Sequence, residues 1–329
     1  SEAWKISNMK QLFLLKALLA ISFSLMAGGP AKTYKNPVVN YSLPDPTVIK
    51  GEDGYFYLYA TEDIRNLPIH RSKDLVNWES VGTAFTPETR PTFESKGNLW
   101  APDINKIGHK YVLYYSMSRW GSEWTCGIGV AASDKPEGPF KDHGMMFRSN
   151  EIGVQNSIDP FYIEDGGKKY MFWGSFRGIW VIELADDGLS LKPGAGKRKI
   201  AGDQYEGTYI HKRDGYYYLI VSTGDFMKDY HVVVGRSRSL MGPYVDRAGR
   251  DMLGVHHELV VGNGNGFVAP GHNAEFVTDD KGQDWMLYHT RLEVGGPRYL
   301  ILDRIEWNDG WPEVRGYVPA RSAEAPVFE

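Results

Sequence analysis

The chain of 329 residues has a formal charge of −4, with 37 Lys and Arg against 41 Asp and Glu, so it carries no basic footprint for a nucleic-acid partner. Hydrophobic residues make up 42% and aromatics 13%, with 10 Trp and 20 Tyr, enough to bury a substantial core in one domain. The single cysteine, Cys126, rules out an internal disulfide and a cysteine metal cluster and reads as a packed thiol in a β-prone segment.

In chain order, Met9-Lys10-Gln11 leads into an apolar run from Leu12 to Ala27 and then Gly28-Gly29-Pro30-Ala31. A basic start, an apolar middle and small residues after it predict a secretory signal peptide cleaved between Ala27 and Ala31, and hence a secreted or periplasmic protein. An N-terminal helix or anchor is the competing reading. Residues 1–31 are therefore set apart from one domain over 32–329, and no later segment is apolar enough for long enough to span a membrane.

From Asn36 onward a pattern repeats. An acidic or polar residue heads a short apolar strand at Asp45-Pro46-Thr47-Val48-Ile49, Pro102-Asp103-Ile104-Asn105, Asp159-Pro160-Phe161-Tyr162-Ile163, Glu206-Gly207-Thr208-Tyr209-Ile210 and His272-Asn273-Ala274-Glu275-Phe276, at intervals of 47 to 66 residues. A Gly/Asp turn and an aromatic strand follow each head, from Gly54 to Tyr59, His109 to Tyr115, Lys169 to Trp173, Gly215 to Ile220 and Asp284 to Tyr288. Third strands follow at Ile69–Ser72, Ile128–Ser133 and Val232–Ser237, then closing segments such as Leu75–Glu79, Pro136–Phe140 and Leu240–Tyr244. Four short strands in each of five units predict an all-β, five-bladed β-propeller in a single domain, expected to be a monomer.

The first strand of each propeller blade lines the central channel, so the heads Asp45, Asp103, Asp159, Glu206 and His272 are expected to converge on one mouth. Clustered carboxylates raise one another's pKa, which suits acid/base hydrolysis with one carboxylate charged and another protonated. Any one of them alone would pass as a turn cap.

The pairs Asp45-Pro46 and Asp159-Pro160, the segments Leu99-Trp100-Ala101-Pro102-Asp103 and Tyr205-Glu206-Gly207-Thr208-Tyr209, and Gly271-His272 together resemble glycoside hydrolase family 43, most of all its arabinan-degrading members. Gly174-Ser175-Phe176, Val234-Gly235-Arg236-Ser237 and Gly310-Trp311-Pro312 extend the likeness. The resemblance implies an inverting mechanism with Asp45 as general base, Glu206 as general acid and Asp159 tuning and orienting the acid. It also implies a calcium or similar ion in the channel with a contact from His272. Bottom-up reasoning fits these roles, since heads on blades 1 and 4 face each other across the channel and leave room for a water between acid and base.

Trp100 is expected to stack on a sugar ring or to pack between blades, and Asn156 to bind a sugar hydroxyl or to serve the turn. Ser175 is assigned to the substrate through the resemblance, and Trp120 and Trp124 are expected in a loop that packs on itself or walls the cleft. The expected activity is hydrolysis of α-L-arabinofuranosyl linkages of the plant polysaccharide arabinan, endo-acting on 1,5-linked chains by preference. An exo-acting arabinofuranosidase or β-xylosidase of the same family and a non-catalytic glycan-binding propeller are the alternatives. The Arg-Asp-Pro triplet of the fructan-cleaving five-bladed enzymes is replaced here by Ile158-Asp159-Pro160.

Overall fold

The computed structural model describes residues 31–329 and is built almost wholly of antiparallel strands. The expected signal segment lies outside the described residues. A short strand β1 (Thr33–Lys35) precedes five sheets arranged as the blades of a propeller. Blade 1 comprises β2 (Thr47–Lys50), β3 (Phe56–Tyr59), β4 (Pro68–Ser72) and β5 (Glu79–Thr83). Blade 2 comprises β6 (Asn98–Ile107), β7 (Lys110–Ser118), β8 (Gly127–Ser133) and β9 (Lys141–Arg148). Blade 3 comprises β10 (Phe161–Asp165), β11 (Lys168–Trp173), β12 (Ile179–Glu183) and β13 (Arg198–Ala201). Blade 4 comprises β14 (Glu206–Arg213), β15 (Tyr216–Thr223), β16 (His231–Ser237) and β17 (Glu258–Val261). Blade 5 comprises β18 (Val268–Gly271), a short β19 (Val277–Thr278), β20 (Asp284–Arg291), β21 (Tyr299–Asn308) and β22 (Trp311–Val314); β18 and β19 both pair with β20. A final strand β23 (Ser322–Glu324) pairs with β1.

The second strands are apolar nearly throughout because they lie inside their sheets and are covered on both faces. Phe56–Tyr59 are all buried, as are Tyr111–Ser118 and Asp284–Arg291. Aromatics from neighbouring blades interlock between the sheets, as where Phe161 of blade 3 meets Tyr209 of blade 4 edge-on at 5.8 Å.

Two kinds of expected strand fall elsewhere. The closing segments Leu75–Glu79, Pro136–Phe140 and Leu240–Tyr244 are mostly connections, and the fourth strands follow them from Glu79, Lys141 and Glu258. The head strand expected over His272–Phe276 is split between β18 and β19, leaving those five residues irregular.

The ring closes without lending a strand of blade 5 to the N-terminus. Instead the N-terminal segment is stitched along blade 5. Val38 N–H donates to Leu300 O (3.0 Å), and Asn36 Nδ2 donates to Leu302 O (2.8 Å) and Ala320 O (2.9 Å). Leu43 N–H donates to Arg298 O (3.0 Å). These bonds carry the chain to Asp45 at the mouth.

Candidate active site

Five positions ring the mouth, one from each blade: Asp45, Ala101, Asp159, Gly207 and His272, with φ of 54, 39, 61, 68 and 48°. The left-handed conformation tips the chain from the inter-blade connection into the channel, and on non-glycine residues it is strain held by surrounding bonds. Ala101 N–H donates to Thr61 Oγ1, Asp159 N–H to Ser116 Oγ and His272 N–H to Ser222 Oγ, each at 2.8 Å. Asp45 N–H lies 3.2 Å from His289 Nδ1. Each acceptor stands within two residues of the end of the second strand of the preceding blade. Glycine suits this position in blade 4, because at φ 68° a Cβ on Gly207 would crowd the His272 ring at 3.1 Å.

This ring corrects the register expected from the sequence. Ala101, two residues before Asp103, is the ring residue of blade 2, and Gly207, one residue after Glu206, is that of blade 4. One extra residue in each of β6 and β14, between the pairs Trp100–Ser116 and Asp103–Tyr114 and between Glu206–Ser222 and Tyr209–Ile220, shifts the alternation there. Glu206 still reaches the mouth from the side, whereas Asp103 lies one layer deeper and does not join the other carboxylates.

In that deeper layer Asp103 pairs with Glu275 of blade 5. Glu275 accepts from Thr47 Oγ1 (2.7 Å) and Val48 N–H (2.8 Å) of blade 1, and Asp103 accepts from Tyr162 N–H (2.8 Å) of blade 3. Burial, and for Asp103 the charge of Glu275, raise both carboxyls above their usual range, so the pair keeps a proton in the fold. A raised folded pKa stabilises below the unfolded carboxylate range near 4 and is lost as pH rises through the folded value. Thermal melting from pH 4 upward should therefore decline less in Asp103→Asn, which keeps the acceptor for Tyr162 but removes one titration, than in the native chain. Equal slopes would mean that the pair holds no extra proton.

Asp45 is the most heavily clamped carboxylate. Thr61 Oγ1 donates to its Oδ2 at 2.6 Å, Arg298 Nη1 lies 3.3 Å from Oδ2, and His272 Nδ1 and His289 Nδ1 lie 3.4 and 3.3 Å from Oδ1. Burial alone would raise this carboxyl. The Arg298 guanidinium, then His272 and His289, outweigh it and hold Asp45 well below the usual carboxylate range. Burial drives His289 down to about 4, so its ring is neutral at pH 7.

Glu206 is held from two sides, by Ser175 Oγ donating to Oε2 and Tyr230 O–H donating to Oε1, both at 2.7 Å. Asp159 beside it is raised well above the usual range by burial, then by the charges of Glu206 and Asp45, against a hydrogen bond from Gly207 N–H. One side of the mouth thus holds Asp45 toward the ionised form while the other holds Asp159 toward the protonated form. Tyr230 lies between them, with its hydroxyl on Glu206 and its ring stacked 5.9 Å from His289 at 7°. Gly271 permits this, since a Cβ there would fall 2.0 Å from the Tyr230 ring.

Of the expected substrate contacts, Ser175 is buried and committed to Glu206, so it positions the carboxyl. Asn156, with φ of 54°, serves its turn by donating through Nδ2 to Ser175 O at 3.2 Å. Trp100 is half-buried at the mouth, 6.1 Å from Trp120, which is 80% exposed and stacks on Phe226 at 6.0 Å. Phe226 in turn lies 5.9 Å from the Arg298 guanidinium.

His272 joins the ring as expected, with Nδ1 toward Asp45. Among the described residues no three His, Cys, Asp or Glu side chains gather as a metal cluster. The next residues along the channel strands, Thr208 and Asn273, carry the buried oxygens Oγ1 and Oδ1 without a hydrogen-bond partner. One imidazole and neutral oxygens fit a hard divalent ion only with water completing its shell.

His289, Arg298 and Tyr230 escaped the sequence reading. His289 could have been found: at the ends of the five second strands stand Thr61, Ser116, Ser175, Ser222 and His289, four small hydroxyls and one imidazole. Arg298 and Tyr230 lie at the ends of loops outside the repeat.

Residues 34–312 match the profile of Glycosyl hydrolases family 43. The chain is 31% identical over 333 residues to an extracellular endo-α-(1→5)-L-arabinanase of Bacillus subtilis, covering 94% of this chain and 98% of that protein. It is 30% identical over 336 residues to an extracellular exo-α-(1→5)-L-arabinofuranosidase of Cellvibrio japonicus, covering 91% of each. The structure of a Cellvibrio cellulosa α-L-arabinanase complexed with arabinohexaose superposes with a TM-score of 0.75 at 30% identity, over 85% of this chain and 99% of that one.

Proposed function

The chain belongs to glycosyl hydrolases family 43, and we propose that it is an inverting arabinan hydrolase that cuts 1,5-linked α-L-arabinofuranosyl chains internally. The observation that carries the mechanism is the unequal setting of the mouth carboxylates: Asp45, 3.3 Å from Arg298 Nη1, is held below the usual carboxylate range, and Asp159, buried beside Glu206, is raised above it. Asp45 acts as general base on the attacking water, Glu206 protonates the departing sugar oxygen, and Asp159 keeps the proton available to Glu206. The Tyr230–His289 stack between acid and base is consistent with room for a water. Trp100 and Trp120 offer ring faces to the sugars beside them. The extracellular names of the relatives support secretion, and the protein is proposed to act as a monomer.

Chromatography of products from linear arabinan tests the reading. A ladder of oligosaccharides from the first minutes, with inverted configuration at the new reducing end by proton NMR, is the expected result. Release of arabinose or one short oligosaccharide alone would replace internal by terminal cleavage. One observation favours that second reading. Trp120 of blade 2 touches Phe226 of blade 4, and two non-neighbouring blades meet near Arg298 only by crossing the mouth.

A calcium ion in the channel, held by His272 with Thr208 and Asn273 nearby, is a further part of the proposal. Bound there it would offset repulsion among the mouth carboxylates. Chelation should lower the melting temperature and activity, added calcium should restore both, and His272→Ala should blunt the response. A chain indifferent to chelator and to calcium holds no such ion.

A further inference from the structure

A cavity of about 650 Å³ lies between blades 4 and 5 on the face opposite the catalytic mouth. Strand direction fixes the face. The first strands leave the mouth, so the Asp214-Gly215 turn before Tyr216, the end of β16 at Ser237 and the Asp309-Gly310 turn before Trp311 all stand at the far end. Three arginines and two aromatics alternate along the cavity. The Arg238 and Arg236 guanidiniums lie 3.7 and 4.1 Å from the Tyr216 ring centroid, and Arg236 and Arg247 lie 4.6 and 5.6 Å from that of Trp311.

Stacking orients guanidinium planes and leaves their N–H edges for other partners. Arg247 meets Glu258 at 3.3 Å, but neither Arg236 nor Arg238 has a carboxylate within 4.0 Å among the described residues. The acids in the cavity wall do not supply one. Asp246 is taken by Arg250 Nε at 2.8 Å and by two backbone amides, and Asp309 at the rim forms no ion pair with the arginines. Arg236 Nη1 reaches the Gly310 carbonyl at 3.4 Å, and two guanidiniums without a carboxylate partner on a protein of net charge −4 mark a local site for an anion.

We propose that this cavity binds oligosaccharides bearing carboxylates, with Arg236 and Arg238 as forked donors to uronate groups. The size suits a few sugar rings, and a neutral arabinan would leave the charged donors unmatched. The assignment is independent of the catalytic reading, since none of its residues belongs to the mouth. It gives the protein a second hold on an acidic polymer while the mouth works elsewhere.

Calorimetric titration of the full chain with trigalacturonate at low ionic strength tests this, with thermal melting as the check on folding. Binding should weaken at least about tenfold in Arg238→Ala and as salt is raised toward about 0.2 M, and neutral arabinotriose should not compete. Arg238 is exposed, so this variant carries the test even if Arg236→Gln fails to fold. No heat of binding, or equal affinity in native chain and Arg238→Ala, overturns the site. Inorganic sulfate binding as tightly as trigalacturonate would also overturn it, in favour of a plain anion site.

Discussion

Asp45→Asn is expected to lower kcat by about 10²- to 10⁴-fold on arabinan and on activated aryl arabinofuranosides alike. The asparagine keeps the shape and the acceptor for Thr61, so the loss is one of charge. The base is needed to deprotonate water whatever the leaving group, and for that reason both substrates should suffer. Azide, which attacks without deprotonation, should restore turnover of the aryl substrate and give a glycosyl azide of inverted configuration. The native carboxyl is held well below its usual range, so the base stays ionised in mild acid, and the acid limb of the native pH profile should fall below the ordinary carboxylate region. A loss smaller than tenfold removes Asp45 from the role of base. A glycosyl azide of retained configuration would make the mechanism retaining, with a nucleophile other than Asp45.

The fold was legible because five aromatic second strands and their turns repeat with little variation, and a sheet buried on both faces demands that pattern. Asp45 and Asp159 were legible as well, since each stands before a proline and a clean strand start. Asp103 was misplaced by two residues and Glu206 by one, because an extra residue inside a strand leaves no mark in a count of alternating side chains. The far-side arginines were half visible: Arg236 stood in a motif, but the stacking of Arg236 and Arg238 on Tyr216 depends on three strand ends meeting at the face away from the mouth. Arg298 shows the same limit more sharply. Its partner Asp45 is 253 residues away, and only closure of the ring brings blade 5 against blade 1.

Glu206→Gln should cost about 10²- to 10⁴-fold on arabinan, whose departing sugar oxygen needs a proton, and far less on an aryl arabinofuranoside with a good leaving group. Glutamine can accept from one of Ser175 and Tyr230 through Oε1 and donate through Nε2 to the hydroxyl of the other, so the side chain keeps its place while the transferable proton is lost. The pH profile adds a second readout. Burial and the charges of Glu206 and Asp45 raise Asp159, so it keeps its proton above the usual carboxylate range and loses it as pH rises through the raised value. The native enzyme should therefore show an alkaline limb on arabinan, and that limb should vanish from the residual aryl activity of the variant. Tyr230→Phe, which removes one donor to Glu206 without touching the carboxyl, should shift this limb and lower kcat more than it raises KM. Equal losses of Glu206→Gln on both substrates, with the alkaline limb intact, would mean that the leaving group receives its proton from another residue.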